Sequence, residues 1–203
     1  MTASIRCEDI AAHPDFVRLG ELPGVAVDLR YQTSDNFVGR DLYSPLDCAW
    51  IRREAGQGIA EAYAALQSRA PGLRFLILDA LRPQRVQEQL WASLQGTGLE
   101  MYLANPVRGS IHSYGMAVDI TLIDAEGREL DMGTPFDDLT EKSHPKLEAE
   151  FLARGLLTAR QIANRQLLRE VLTDAGFRGI STEWWHFDFG DRDQVRAGLP
   201  RVL

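Results

Sequence analysis

Residues 73–94, LRFLILDALRPQRVQEQLWASL, carry the reading of the fold. Leu73–Asp79 is a short apolar run preceded by Pro71-Gly72, the pattern of a buried strand. Pro83 suits the first position of a helix, where its missing N–H costs no hydrogen bond, and this predicts a helix over 83–94. Downstream, 116–123 (MAVDITLI) alternates as a strand, and Asp124-Ala-Glu-Gly127 reads as its turn into a second one. Residues 158–175 (TARQIANRQLLREVLTDA) have amphipathic helical spacing, with Thr158 as N-cap and Gly176 as the stop. Residues 183–189 (EWWHFDF) read as an aromatic strand. Upstream, 25–30 (VAVDLR) predicts a short strand followed by a polar loop, YQTSDNFVGRDLYS. Over 50–69, Ile51, Ala55, Ile59, Ala62, Tyr63 and Leu66 recur at helical spacing. Helices and mostly antiparallel strands in this mixed order predict an α+β fold, a central antiparallel sheet flanked by helices.

The 203 residues suffice for one domain with a substantial core, and no repeat or linker-like tract divides them. Apolar residues at 45% and charged residues at 25% are ordinary for a globular chain. A formal charge of −7 disfavours a nucleic-acid partner, which needs a basic surface to neutralise phosphates. No stretch approaches the roughly 20 apolar residues of a membrane span. The N-terminus, MTASIRCEDIAAHPDFVRLG, lacks the apolar core of a signal peptide, so a cytoplasmic location without membrane contact is expected. Cys7 and Cys48 fit neither a disulfide framework nor a CxxC metal pair and read as plain thiols.

The chain has four histidines. A catalytic zinc takes three protein ligands from histidine and carboxylate and keeps one position open for water. In SIHSYGMAVDITL, His112 lies in a glycine-containing loop and Asp119 on the strand that follows; a sharp turn at Gly115 would bring both to one point. In EWWHFDFG, Glu183 and His186 are three apart. On an ideal strand they would face opposite sides, so a bulge or twist must re-aim one of them. Each residue alone also has a bland reading: His112 a loop histidine, Asp119 an edge acid, His186 a half-buried partner of the tryptophans.

Taken together, these motifs resemble the D-alanyl-D-alanine dipeptidase family of zinc peptidases. Ser110, His112, Gly115, Ala117 and Asp119 match its SxHxxGxAxD element, and Glu183 and His186 its ExxH element. DALRP at 79–83, the YxTxxNFxG pattern at 31–39 and MGTPFD at 132–137 follow in the family's order, so the likeness spans about 25–190. The resemblance implies the architecture shared with D,D-carboxypeptidases and the hedgehog signalling domain. It implies one zinc held by His112, Asp119 and His186, with Glu183 as general base. Arg82 matches the arginine that stabilises the transition state, and Asp79 could brace it through a charge-assisted hydrogen bond. Asp137 matches the residue that holds the substrate's amino end, with Tyr31 a second contact and Ser110 a donor toward the other end. Asp138 leaves the register at Asp137 open, and His144 reads equally as a supporting or a surface histidine.

The implied reaction is hydrolysis of a small dipeptide, D-alanyl-D-alanine, to free amino acids. Two rivals stand beside it: a D,D- or L,D-peptidase acting on longer cell-wall peptides, and a zinc-stabilised binding module without turnover. Glu183 and Arg82 together count against the module, since neither is needed merely to hold zinc. Trp184 and Trp185 read as packing around His186, and strand alternation would turn one inward and one outward.

Overall fold

The computed structural model describes residues 4–203. In chain order the elements are β1 (Phe16–Arg18), β2 (Val25–Val27), β3 (Trp50–Arg52), α1 (Arg53–Arg69), β4 (Arg74–Asp79), α2 (Gln84–Leu94), β5 (Ala117–Ile123), α3 (Glu148–Ala153), α4 (Ala159–Asp174), β6 (Phe177–Gly179), β7 (His186–Phe189) and α5 (Arg192–Gly198). Short 3-10 turns fill several of the connections.

A five-stranded sheet in the order β2-β4-β5-β7-β6 forms the centre, and β1 with β3 forms a separate two-stranded ribbon. All seven residues of β5 are buried, as its central position requires. The expected antiparallel sheet is found with one exception: β2 runs parallel to β4. A parallel neighbour needs a long crossover, and the ribbon strand β3 with α1 supplies it. Helix α1 buries Ala55, Ile59, Ala62 and Leu66 and packs on α4 and β4. Helix α4 begins as the sequence predicts. Thr158 Oγ1 accepts from Gln161 N at 3.2 Å, and the Gln161 side chain accepts from Thr158 N at 2.8 Å, a reciprocal capping box. The core is one continuous cluster running from Ile10 and Phe16 through the sheet to Val202.

Some boundaries move. The helix expected over 50–69 starts at Arg53, because Trp50–Arg52 pairs antiparallel with Phe16–Arg18; Ile51 is buried either way, so periodicity alone did not separate the two. Pro83 is not the first helical residue but the cap before it, extended at ψ 150°, with its carbonyl accepting from Val86 N and Gln87 N. The strand after the Asp124–Gly127 turn is reduced to a single bridge, Ile123 to Glu129. The strand expected over 25–30 stops at Val27, and Arg30–Gln32 tightens into a 3-10 turn. Cys7 and Cys48 are buried free thiols. No helix of the described residues is long and apolar enough to cross a membrane.

Candidate metal centre and its cavity

Three adjacent strands build a row of polar side chains. Asp79 is the partner of Asp119 in the β4–β5 ladder, after a register shift between Ile77 and Asp79, and Asp119 is the partner of His186 in the β5–β7 ladder. Directly opposed residues share a face of the sheet, so the three side chains project together. The irregularity in β4 is the device that brings Asp79 into line. His112 reaches the row from the 3-10 turn Ile111–Tyr114, which ends at Gly115 in the left-handed region, φ 68°. A side chain there would put its Cβ 2.6 Å from Phe16, so glycine is required by both conformation and space.

The contacts fix the His112 tautomer. His112 Nδ1 lies 2.7 Å from the Ala80 carbonyl oxygen, which only accepts, so the proton is on Nδ1 and the lone pair on Nε2. Both His186 nitrogens face carboxylates, Nε2 with Asp188 Oδ1 at 2.9 Å and Nδ1 with Asp119 Oδ1 at 3.0 Å; a neutral ring protonated on Nε2 would keep the Nδ1 lone pair toward His112. Those two lone-pair nitrogens are 3.1 Å apart, and Asp119 Oδ1 is 3.0 Å from His186 Nδ1 and 3.4 Å from His112 Nε2. Three acceptors facing one another are repulsive unless a cation or an extra proton lies between them. Zinc bonds of about 2.0–2.1 Å in a tetrahedron would separate such ligands by roughly 3.3 Å. Among the described residues this is the set of metal-capable side chains that converges, all three atoms within 4.8 Å of one another. The donor set therefore fits a zinc ion. Burial alone would lower the His186 ring, but the Asp188 and Asp119 carboxylates overcome it and hold its pKa well above an ordinary histidine's. Burial alone would raise Asp119; the His112 and His186 rings hold it far below the usual carboxylate range instead.

Glu183 does not lie on a strand. β7 begins only at His186, so the three-residue spacing that conflicts with strand alternation is spanned by irregular chain, and both side chains line one cavity. The irregular run also buries both Trp184 and Trp185, against the expectation that one would face outward; Trp184 Nε1 donates to Thr134 Oγ1 at 2.8 Å. Burial pushes the Glu183 carboxyl up to about 7, with the His186 charge pulling against it.

Arg82 is buried. Nε and Nη2 donate to Asp79 Oδ2 at 2.8 and 2.6 Å, Nη1 to Gln87 Oε1 at 3.1 Å, and Nη2 to Asp119 Oδ2 at 3.4 Å. Tyr43 OH donates to the other oxygen of Asp79, and the guanidinium carbon sits 5.2 Å above the Tyr31 ring. These four donations occupy four of the five guanidinium N–H groups and leave one, on Nη1.

The cavity encloses about 450 Å³, within the range of small-ligand sites, and Tyr31, Arg82, Ser110, Asp137 and Glu183 line it with His112, Asp119 and His186. Asp137 has φ 60°, the one left-handed non-glycine among the described residues. Its Oδ1 accepts from Tyr31 OH at 3.0 Å and its Oδ2 from Phe37 N at 3.4 Å. Burial, then the Asp119 charge, raise its carboxyl well above the ordinary value. Burial keeps the Tyr31 phenol protonated as a donor. Asp138 stands outside the cavity lining, and its carbonyl accepts from Ser143 Oγ at 2.7 Å. His144 is buried against Tyr102 OH at 2.9 Å, outside the lining and not on the surface. Four supporting residues escape the sequence reading: Tyr43, Gln87, Asp188 and Arg192, whose Nε donates to Asp188 Oδ2. Asp188 had a signal, since residues two apart on a strand share a face and it follows His186 at that spacing.

The family model and the curated relatives agree on one family. The M15 peptidase model described as D-ala-D-ala dipeptidase matches residues 14–200. The D-alanyl-D-alanine dipeptidase of Escherichia coli (strain K12) is 37% identical over 166 residues, covering 82% of this chain and 79% of that protein. The D-alanyl-D-alanine dipeptidase of Enterococcus faecalis is 31% identical, over 87% of this chain and 92% of its own length. Among solved structures, the LdcB LD-carboxypeptidase superposes with a TM-score of 0.49 at 16% identity, over 91% of this chain and 72% of that one. With the family model spanning nearly the whole sequence, the chain belongs to the D-Ala-D-Ala dipeptidase family of M15 peptidases.

Proposed function

We propose that the protein is a zinc-dependent dipeptidase that hydrolyses D-alanyl-D-alanine to two D-alanines. The observation that carries this reading is the convergence of His112 Nε2, Asp119 Oδ1 and His186 Nδ1 on one point beside Glu183 and Arg82. Zinc bound there supplies a Lewis acid for the peptide carbonyl and brings the pKa of water toward about 7. Glu183 takes the proton of the attacking water and returns it to the leaving amine, and a carboxyl raised by burial suits both transfers. The remaining Arg82 N–H is a fixed donor for the oxygen on which negative charge develops, held in place by Asp79 and Gln87. Asp137, backed by Tyr31, meets the ammonium of the dipeptide, and Ser110 offers a hydroxyl toward its other end.

A non-catalytic binding module would have no use for Glu183 in the cavity or for a buried Arg82 aimed into it. The direct test is turnover of a dipeptide panel after chelation and restoration of zinc. D-Ala-D-Ala should be cleaved, with activity lost on chelation and restored by the metal. No turnover of any dipeptide by fully loaded protein would refute the enzyme reading.

A further inference from the structure

One wall of the cavity is cationic. Arg108, Arg192 and Arg196 line it, carried by the loop before Ser110 and by α5. Their acidic partners do not balance them. Asp193 Oδ1 accepts from both Arg108 Nη2, at 3.4 Å, and Arg196 Nη1, at 3.3 Å, and its side chain is 83% exposed. Asp188 is shared between Arg192 and the His186 ring. Arg196 is the fixed member of the three: its side chain is only 15% exposed, and its Nε donates to the Gly109 carbonyl at 3.1 Å, next to Ser110. Its Nη2 has no protein partner among the described residues.

We infer that Arg196 is the anchor for the C-terminal carboxylate of the substrate, with Arg108 and Arg192 adding to the attraction. This rests on the dipeptidase reading and deepens it. Asp137 is held by Tyr31 OH and Phe37 N, whereas Arg196 is held by the Gly109 carbonyl and Asp193, so the two charges stand on different elements of the cavity wall. A zwitterionic dipeptide offers one charge to each. Arg196 also shows the mark of a cation short of counter-charge: burial, then the Arg108 guanidinium, lower its pKa despite Asp193. A forked guanidinium with free N–H groups is the group that recognises a carboxylate by geometry as well as charge.

The test compares D-Ala-D-Ala with D-alanyl-D-alaninamide, which has the same scissile bond and ammonium but no carboxylate. On the unmodified enzyme, kcat/KM for the dipeptide should exceed that for the amide by about 10- to 100-fold, the range for a charge-assisted hydrogen bond. Arg196→Gln should collapse that ratio several-fold, chiefly through KM for the dipeptide, and Arg196→Lys should restore part of it at equal zinc content. A purely structural role for Arg196 would slow both substrates in parallel and leave the ratio where it was, which overturns the anchor. Equal rates on dipeptide and amide by the unmodified enzyme overturn it too, with the dipeptidase reading intact. Absence of dipeptide turnover by the unmodified enzyme would remove both.

Discussion

Asp119 faces His186 directly across the β5–β7 ladder, Oδ1 to Nδ1 at 3.0 Å, while its other oxygen lies 3.4 Å from Arg82 Nη2. One carboxylate thus joins the metal position to the arginine proposed to act on the substrate. Moving it would disturb both, so under the proposed reading zinc affinity and transition-state stabilisation would be tied through a single side chain.

His112→Ala, Asp119→Ala and His186→Ala should each lose zinc, because two ligands hold the ion too weakly. Asp188→Asn should keep the metal but weaken it by about 10- to 100-fold, since Asp188 orients the His186 ring. Zinc content after dialysis against a competing chelator measures both. Full occupancy in the three alanine variants would rule out the ligand set, and unchanged affinity in Asp188→Asn would rule out the supporting role.

Glu183→Gln should retain zinc and lose about 10²- to 10⁴-fold in turnover, the usual worth of a general base. Arg82→Ala should lower kcat more than it raises KM, as expected for a contact made in the transition state. Zinc content and steady-state kinetics on the same preparations separate the outcomes. Loss of metal from Glu183→Gln would make it a ligand instead of a base.

The pH profile follows from the same carboxyl. Burial raises Glu183 to about 7, and a cation held beside it favours its ionised form and brings that value down. Only the carboxylate accepts a proton, so activity is present above its pKa and falls about tenfold per unit below it. The acid limb of kcat/KM should therefore lie between the ordinary glutamate value near 4.3 and about 7. Glu183→Gln should flatten this limb; an identical limb in the variant would assign it to another group.

Strands β4 and β5 and helix α4 were legible because they carry their periodicity in the sequence, whereas β1 and β6, three residues each, are too short to show one. The ribbon strand β3 was hidden because Ile51 is buried whether 50–52 is strand or helix. The candidate residues were legible as motifs, but not the register that puts Asp79, Asp119 and His186 in one row. That depends on a register shift in β4 that no local pattern announces. Glu183 looked misplaced only while 183–189 was read as one strand. Tyr43 and Gln87 lie 36 and 5 residues from their partners in sequence, and nothing in their own neighbourhood marks them as supports.

Gly115→Ala should damage stability and metal binding together. Its left-handed conformation costs alanine roughly 1–2 kcal/mol, and the added Cβ would press on Phe16 at 2.6 Å. Relief would shift the Ile111–Tyr114 turn and with it the His112 ring. Melting temperature and zinc affinity should both fall, and a variant equal to the parent in both would show that the turn is not under this constraint.

The last prediction separates a dipeptidase from a peptidase of longer chains, and it turns on Asp137. A dipeptide presents an ammonium one residue from the scissile bond, where the proposed reading puts Asp137, with Tyr31 OH and Phe37 N donating to it. A longer peptide has a neutral amide there, so Asp137, whose carboxyl burial already raises, loses its ion pair and either stays charged at a cost or takes up a proton. The same group attracts one substrate and penalises the other. Acetylating the amine of D-Ala-D-Ala should thus lower kcat/KM by about 10² or more, at 1.4 kcal/mol per factor of ten. Asp137→Asn is the informative variant, because asparagine tolerates the left-handed backbone at φ 60° and so changes charge without changing conformation. It should narrow the gap from both sides, slowing the free dipeptide and relieving the blocked one. Both substrates would be run on both proteins at matched zinc and pH. Comparable rates on free and acetylated dipeptide by the unmodified enzyme would overturn the dipeptidase assignment and favour a carboxypeptidase of longer wall peptides.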